Sequence, residues 1–270
     1  MIQRISTAIH LSMQVTFYKY QGTGNDFIIF DNRQGNISLS KQQIKNLSNR
    51  RFGIGADGLM LLNVKEGYDF EMEYYNSDGN ESSMCGNGGR CMVKFAQQLG
   101  IRKGKYFFKA IDGDHEATLD ENNWVNLKMK DVKGIRKHYT DFVLDTGSPH
   151  YVKPTIDVRK YNVVKTGREI RYSDEFGKEG INVNFAEHDG RGIFVRTYER
   201  GVEDETLSCG TGVTAAALVF AHNENGFNRV EVKTLGGNLA VEFDKAGEEE
   251  FKNIWLCGPA QFVFKGEIEL

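Results

Sequence analysis

A chain of 270 residues is longer than one hydrophobic core comfortably serves, so two domains are expected. With 40% hydrophobic and 26% charged residues, the composition is that of an ordinary soluble globular protein, and no apolar run approaches the length of a membrane span. The net charge of −3 gives no electrostatic reason to expect nucleic acid or an anionic membrane as a partner.

Residues 1–12, MIQRISTAIHLS, lack the continuous apolar stretch of a secretory signal, and 1–13 is expected to be an extension outside the fold. Strands are expected at 16–20 and 27–31, flanking the glycine-rich GTGND. Its G-x-G does not announce a dinucleotide site, because it passes into FIIF, a strand-like run, where that fingerprint must open a helix. An amphipathic helix follows at 40–50, with Ser40 as N-cap and Ile44 and Leu47 on one face. After a turn and buried strand over 53–62, residues 68–76 alternate Phe70, Met72 and Tyr74 with acidic residues, the pattern of a half-buried strand ending at Asn76. A helix over 90–99, closed by Gly100, leads to strands at 106–110, 116–119 and 124–129.

The second half repeats the plan. Strands at 142–145 and 151–154 flank TGSPH, and 180–186 and 192–199 are further strands. The run 211–222, TGVTAAALVFAH, is apolar almost all round, so it must be buried on every face, most simply inside a strongly curved sheet. Strands at 230–234, 239–243, 253–257 and 261–264 complete the chain.

The repeat is also visible in the residues themselves. YYNSDGNESSMCGNGGR (74–90) and YERGVEDETLSCGTGV (198–213) each place a polar residue, Asn76 or Glu199, after an aromatic, and later a Cys-Gly-Asn/Thr-Gly turn, at Cys85 and Cys209. A cysteine before a turn that opens a helix sits where free N–H groups converge and the dipole is positive, which favours thiolate over thiol. Two such cysteines suit an acid and a base facing each other, as inversion of an amino-acid α-carbon requires. The N–H groups of Gly86, Asn87, Gly210 and Thr211 suit the carboxylate of such a substrate. A redox disulfide between the pair is the alternative. Zinc lacks the paired short spacings it normally needs, and Cys85 to Arg90 is C-x4-R, one residue short of a phosphate-wrapping loop. Cys91 and Cys257 read as small buried hydrophobes. Four cysteines without a secretory signal point to a reducing, cytoplasmic compartment.

The segments GTGNDF (22–27), YNSDGNESSMCGNGGRC (75–91), GSPH (147–150), INVNF (181–185) and YERGVEDETLSCGTG (198–212) resemble the diaminopimelate epimerase family, in that family's order from residue 16 onward. The resemblance implies an α+β fold of two pseudo-symmetric domains, each a curved β-sheet wrapped around a central α-helix. These domains would be 14–130 with 260–270, and 131–259, with the active site in the cleft between them. It implies interconversion of LL- and meso-diaminopimelate without cofactor or metal, by a homodimer, with Cys85 and Cys209 catalytic. His150 and Glu199 would set their protonation, and Asn25, Asn76, Asn182 and Arg200 would bind the substrate's far end. One departure stands out: Ser148 replaces the family's usual Asn at this far end. A proline-racemase-like enzyme, or a silent ligand-binding or redox-sensing protein on the same fold, remains as an alternative.

Overall fold

Residues 13–222 and 224–270 are described by a computed structural model. The expected extension 1–13 lies outside them except for Met13, whose backbone pairs in both directions with Leu270. The alternating run QVTFYKYQG forms β1 (Gln14–Gly22), which turns through Thr23 and Gly24 into β2 (Asn25–Asp31). Both turn residues have positive φ, 50° and 86°, the backbone that lets a two-residue hairpin follow the twist of its strands. Helix α1 (Lys41–Ser48) begins with a complete capping box between Ser40 and Gln43. It carries the chain across to β3 (Gly58–Asn63), parallel to β2. β4 (Phe70–Asn76) returns antiparallel, helix α2 (Gly86–Gln98) crosses over, and β5 (Lys105–Ala110) runs parallel to β4. β6 (Gly113–Leu119) and β7 (Val125–Lys128) close the unit as a meander.

Two short strands, β8 (Val132–Lys133) and β9 (Arg136–His138), lead into the same plan a second time. β10 (Asp141–Asp145) and β11 (Pro149–Pro154) are a hairpin, helix α3 (Val163–Arg171) crosses, and β12 (Asn182–Asp189) lies parallel to β11. β13 (Gly192–Glu199) and the short β14 (Asp204–Thr206) precede helix α4 (Gly210–Val219), after which β15 (Gly226–Thr234) is parallel to β13. β16 (Gly237–Lys245) and β17 (Glu250–Gly258) finish the second meander. β7 and β17, the corresponding last strands of the two units, pair antiparallel, so all the strands join in one continuous sheet. The final strand, β18 (Gln261–Glu269), pairs with β1.

Strand alternation gives each unit two apolar faces. Phe27 and Ile29 of β2 point to the inner core around α2, while Ile28 and Phe30 meet Ile44 and Leu47 of α1 outside. In the second unit α4 is the inner helix, and Val163 of α3 packs outside on Tyr151, Val183 and Phe185. Each Met, Val or Phe that α2 buries is worth about 1.5–3 kcal/mol of transfer free energy, and its residues Gly86 through Val93 are all buried.

The inner helices differ from the sequence expectation at their ends. α2 begins at Gly86 and not at 90, and α4 runs over Gly210–Val219 and not 211–222. Glycine is a poor helix former, but here the glycines form the first turn where side chains of Leu256, Met84 and Asn184 stand within 2.2–3.1 Å of where a Cβ would be. Cys85 and Cys209 are thereby the N-caps, with extended backbone (φ −90°, ψ 133° and φ −114°, ψ 114°). Among the described residues no helix is long and apolar enough to cross a membrane.

Candidate active site

The two inner helices start against each other. A Cβ placed on Gly210 would stand 3.5 Å from Cα of Gly86, in van der Waals contact, and 2.9 Å from Cδ2 of Leu256, which lies against both glycines. Two positive helix ends therefore converge, each capped by a cysteine. Backbone N–H groups of Gly88 and Asn87 act on the Cys85 sulfur, and that of Gly212 on Cys209. The Cys85 thiol faces Oδ1 of Asn25 at 3.6 Å, and Cys209 Sγ lies 3.5 Å from Thr211 Oγ1. The thiolate preference expected from the helix ends is nevertheless outweighed: burial pushes both thiols up from their ordinary range, and the nearby Glu199 carboxylate adds to this. All four cysteines are free, with Cys91 and Cys257 buried in the core.

Beside the Cys209 cap, reaching Ser208, opens a cleft of about 670 Å³ lined among others by Asn25, Asp57, Tyr74, Asn76, Glu199 and Arg200. Asn25 donates to Asp57 at 2.7 Å, and Asn76, at the end of β4, accepts from the Tyr74 hydroxyl at 3.0 Å. Glu199 accepts from Thr206 at 2.9 Å, and burial raises its carboxyl above the ordinary range, helped by the charge of Asp57.

At the Arg200 end three residues are joined. Asn182 donates through Nδ2 to Ser148 Oγ (2.9 Å) and to the Pro149 carbonyl (3.2 Å), while its Oδ1 accepts from the Arg200 backbone N–H (2.9 Å). The Arg200 guanidinium reaches Ser148 Oγ at 3.4 Å and donates to the Glu179 carbonyl at 3.1 Å. Ser148, the departure from the family pattern, is thus bonded directly to both neighbours expected at the far end.

His150 is fully buried. Asn184 donates to its Nδ1 (3.1 Å) and to the Tyr151 carbonyl (3.1 Å), and accepts from Thr197 Oγ1 (3.0 Å). A carbonyl only accepts, so it fixes the amide nitrogen toward Nδ1 and leaves the imidazole proton on Nε2, which has no partner among the described residues. Burial, with the Arg200 charge, pushes the imidazole down to about 3, so it is neutral. Asn184, Tyr74 and Asp57 were not foreseen from the sequence. The signal for Asn184 lies in INVNF, where a second asparagine follows Asn182 on the same face of the buried part of β12.

The diaminopimelate epimerase family profile matches residues 17–134 and 142–263. The diaminopimelate epimerase of Flavobacterium psychrophilum is 50% identical over 257 residues, covering 93% of this chain and 99% of the relative. That of Chlorobaculum tepidum is 42% identical over 260 residues, covering 92% and 99%. Among solved structures, a PhzF-family phenazine biosynthesis protein of Bacillus anthracis superposes with a TM-score of 0.75 at 14% identity, over 95% of this chain and 99% of the other. A hydroxyproline epimerase from Agrobacterium vitis gives 0.65 at 13%, over 95% and 93%. Those two share the fold, whereas the profile spans both halves and the Flavobacterium relative matches half of all aligned positions: this chain belongs to the diaminopimelate epimerase family.

Proposed function

We propose that the protein interconverts LL- and meso-diaminopimelate by two-base proton transfer between Cys85 and Cys209. One cysteine, as thiolate, takes the α-proton from one face. The other, as thiol, gives its proton to the opposite face, so the two exchange protonation states in each turnover. The observation that carries this reading is that both cysteines cap helices at equivalent places in a duplicated plan, and that those helices touch at their first residues. N–H groups of Gly86, Asn87, Gly210 and Thr211 are suited to the substrate carboxylate as it gains enediolate character, each such donor being worth roughly 2.7–4 kcal/mol. These donors take the electron-sink role that pyridoxal phosphate fills elsewhere.

In this reading His150, neutral with its Nε2 proton uncommitted, and Glu199, a carboxyl of raised pKa, set the protonation of the cysteine pair. Asn25 and Asn76 line the substrate's path, and Arg200 with Ser148 and Asn182 receives its distal amino-acid end. Proline has no second end, so a racemase acting on it would leave that half-buried polar set unmatched. We take 14–130 with 260–270 as one domain and 131–259 as the other, a division supported by the pairing of β18 with β1.

The test is proton NMR of LL-diaminopimelate in deuterium oxide with reductant and chelator and without added pyridoxal phosphate. The α-proton signal disappears and the meso isomer grows in, and Cys85→Ala and Cys209→Ala each slow this by about 10²–10⁴-fold. Wild-type protein that is folded and reduced yet exchanges no proton would refute the reading, as would full activity in either variant.

A further inference from the structure

Arg90 is the largest of the fully buried side chains. The buried Lys19 meets Asp26 at 2.8 Å, but among the described residues the guanidinium of Arg90 meets only neutral acceptors. It donates to the Gly86 carbonyl (3.1 Å), to Asn87 Oδ1 (2.9 Å), to Thr23 Oγ1 (3.3 Å) and, at the limit of bonding, to the Pro259 carbonyl (3.5 Å). Glycines make room for it on two sides, since a Cβ on Gly22 would stand 3.4 Å from Nη2 and one on Gly258 3.2 Å from Nε. A buried cation with neutral partners is costly, and an apolar residue of the same volume generally serves stability better. Packing therefore does not account for an arginine here.

Its contacts do. Asn87, held through Oδ1 by Arg90, donates through Nδ2 to the carbonyl of Ser208 (3.0 Å), the residue before Cys209. The same Nδ2 reaches Asn25 Oδ1 (3.4 Å), which faces the Cys85 thiol. Arg90 and Asn87 together form a strut between the two cysteine caps, and the Arg90 charge lies beneath the converging helix starts. The titratable groups around it are Cys85 and Cys91 on its own helix and Cys257 on β17. Cys85 is also faced by Tyr74 on β4 and Glu199 on β13. All of these are neutral or negative, and the Glu199 carboxylate opposes a further negative charge on Cys85, so among them Arg90 is the cation that offsets one.

We propose that Arg90 is a positioning residue for both cysteines: through Asn87 it ties the two helix starts together, and its charge offsets the anion formed between them during proton transfer. The proposal rests on the two-cysteine reading.

Arg90→Lys keeps the charge and loses the planar fork, whereas Arg90→Met loses both. Two readouts separate the roles. The first is the pH dependence of iodoacetamide alkylation at Cys85 and Cys209, followed by mass spectrometry without substrate. The second is the pH profile of α-proton exchange. Arg90→Met is expected to move both profiles to higher pH by about one unit or more. Arg90→Lys is expected to leave their position unchanged while slowing exchange about tenfold or more through the loosened strut. Folded Arg90→Met with wild-type profiles would overturn the proposal. So would equal slowing in both variants with no movement along the pH axis, which lost packing alone produces. Should Arg90→Met not fold, neutral Arg90→Gln is read in the same way. In wild-type protein, the exchange-protected guanidinium resonance of Arg90 must then shift when Cys85 is alkylated, and its constancy would count equally against the proposal. The alkylation arm uses no substrate, so a wild type that failed to epimerise would refute the enzymatic reading and leave the role of Arg90 to be decided separately.

Discussion

Asn184 shows how much of the site's chemistry is set by a residue that need not touch substrate. It spends both amide hydrogens and its oxygen on His150, Tyr151 and Thr197, and so fixes the proton of the neutral imidazole on the side away from Asn184. The consequence for stability follows from linkage. His150 titrates near 6.5 in the unfolded chain and is pushed down to about 3 in the fold, so between those values the unfolded state binds more protons. The contribution of neutral His150 is complete above about 6.5 and is lost as pH falls toward 3. Below about 6.5 the loss approaches 1.4 kcal/mol per pH unit. Urea denaturation across this range should show wild type losing stability more steeply than His150→Gln, which cannot titrate. Parallel curves would mean that the imidazole takes up protons in the fold. The cysteines were legible in the sequence because duplication marks them. Asn184 and Arg90 were not, because their roles come from partners on other strands and turns, which only the fold brings within bonding distance.

At the scale of elements the duplicated plan explains both the successes and the omissions of the sequence reading. In each unit two parallel strand pairs are bridged by helices, α1 and α2 in the first and α3 and α4 in the second, because parallel neighbours require a crossover. α1 was legible through Ser40, Ile44 and Leu47. α3 was not, because in VVKTGREIR the inward stripe is only Val163, Gly167 and Ile170, one of them a glycine, although the repeat itself calls for a helix there. The short β8, β9 and β14 were equally silent, being too brief to carry a periodic signal. The two units also meet through a turn-to-turn contact beside the site. Gly236, between β15 and β16, donates to the Leu207 carbonyl at 2.9 Å, and a Cβ on it would stand 1.8 Å from the carbonyl oxygen of Thr23 in the β1–β2 turn. Backbone cannot yield there as a flexible side chain can. Gly236→Ala is therefore expected to displace the Thr23 turn from its seat against Asn87 and Arg90, costing about 1–3 kcal/mol of stability. A shift of this size beside the cysteine caps is expected to cost about 100-fold in turnover. Chemical denaturation and the exchange assay measure the two effects, and turnover close to wild type would show that the contact does not position the site.

The whole molecule is held as one sheet. β7 and β17 join the two units at one seam, β18 lies on β1 at the far side of the first unit, and a single apolar core runs from α2 through the seam to α4. Chain order is thus less important than strand adjacency, and the described ends of the chain show why. Met13 donates to Leu270 at 3.2 Å and Leu270 to Met13 at 3.0 Å, so a short flexible linker can join Leu270 to Gln14 without strain. New ends opened between Glu121 and Asn122 would lie in an exposed turn, the kind of site where permutation is tolerated. The permuted chain, beginning at Asn122 and ending at Glu121, separates β6 from β7 in sequence while leaving every strand pairing available. It is expected to unfold in one cooperative transition and to retain α-proton exchange, because β7 stays anchored to β17 on one side and re-pairs with β6 on the other. Two separate melting steps would mean that the units fold independently and the seam contributes little. Failure to fold would mean that the covalent β6–β7 link, and not sheet continuity, holds the first unit against the second.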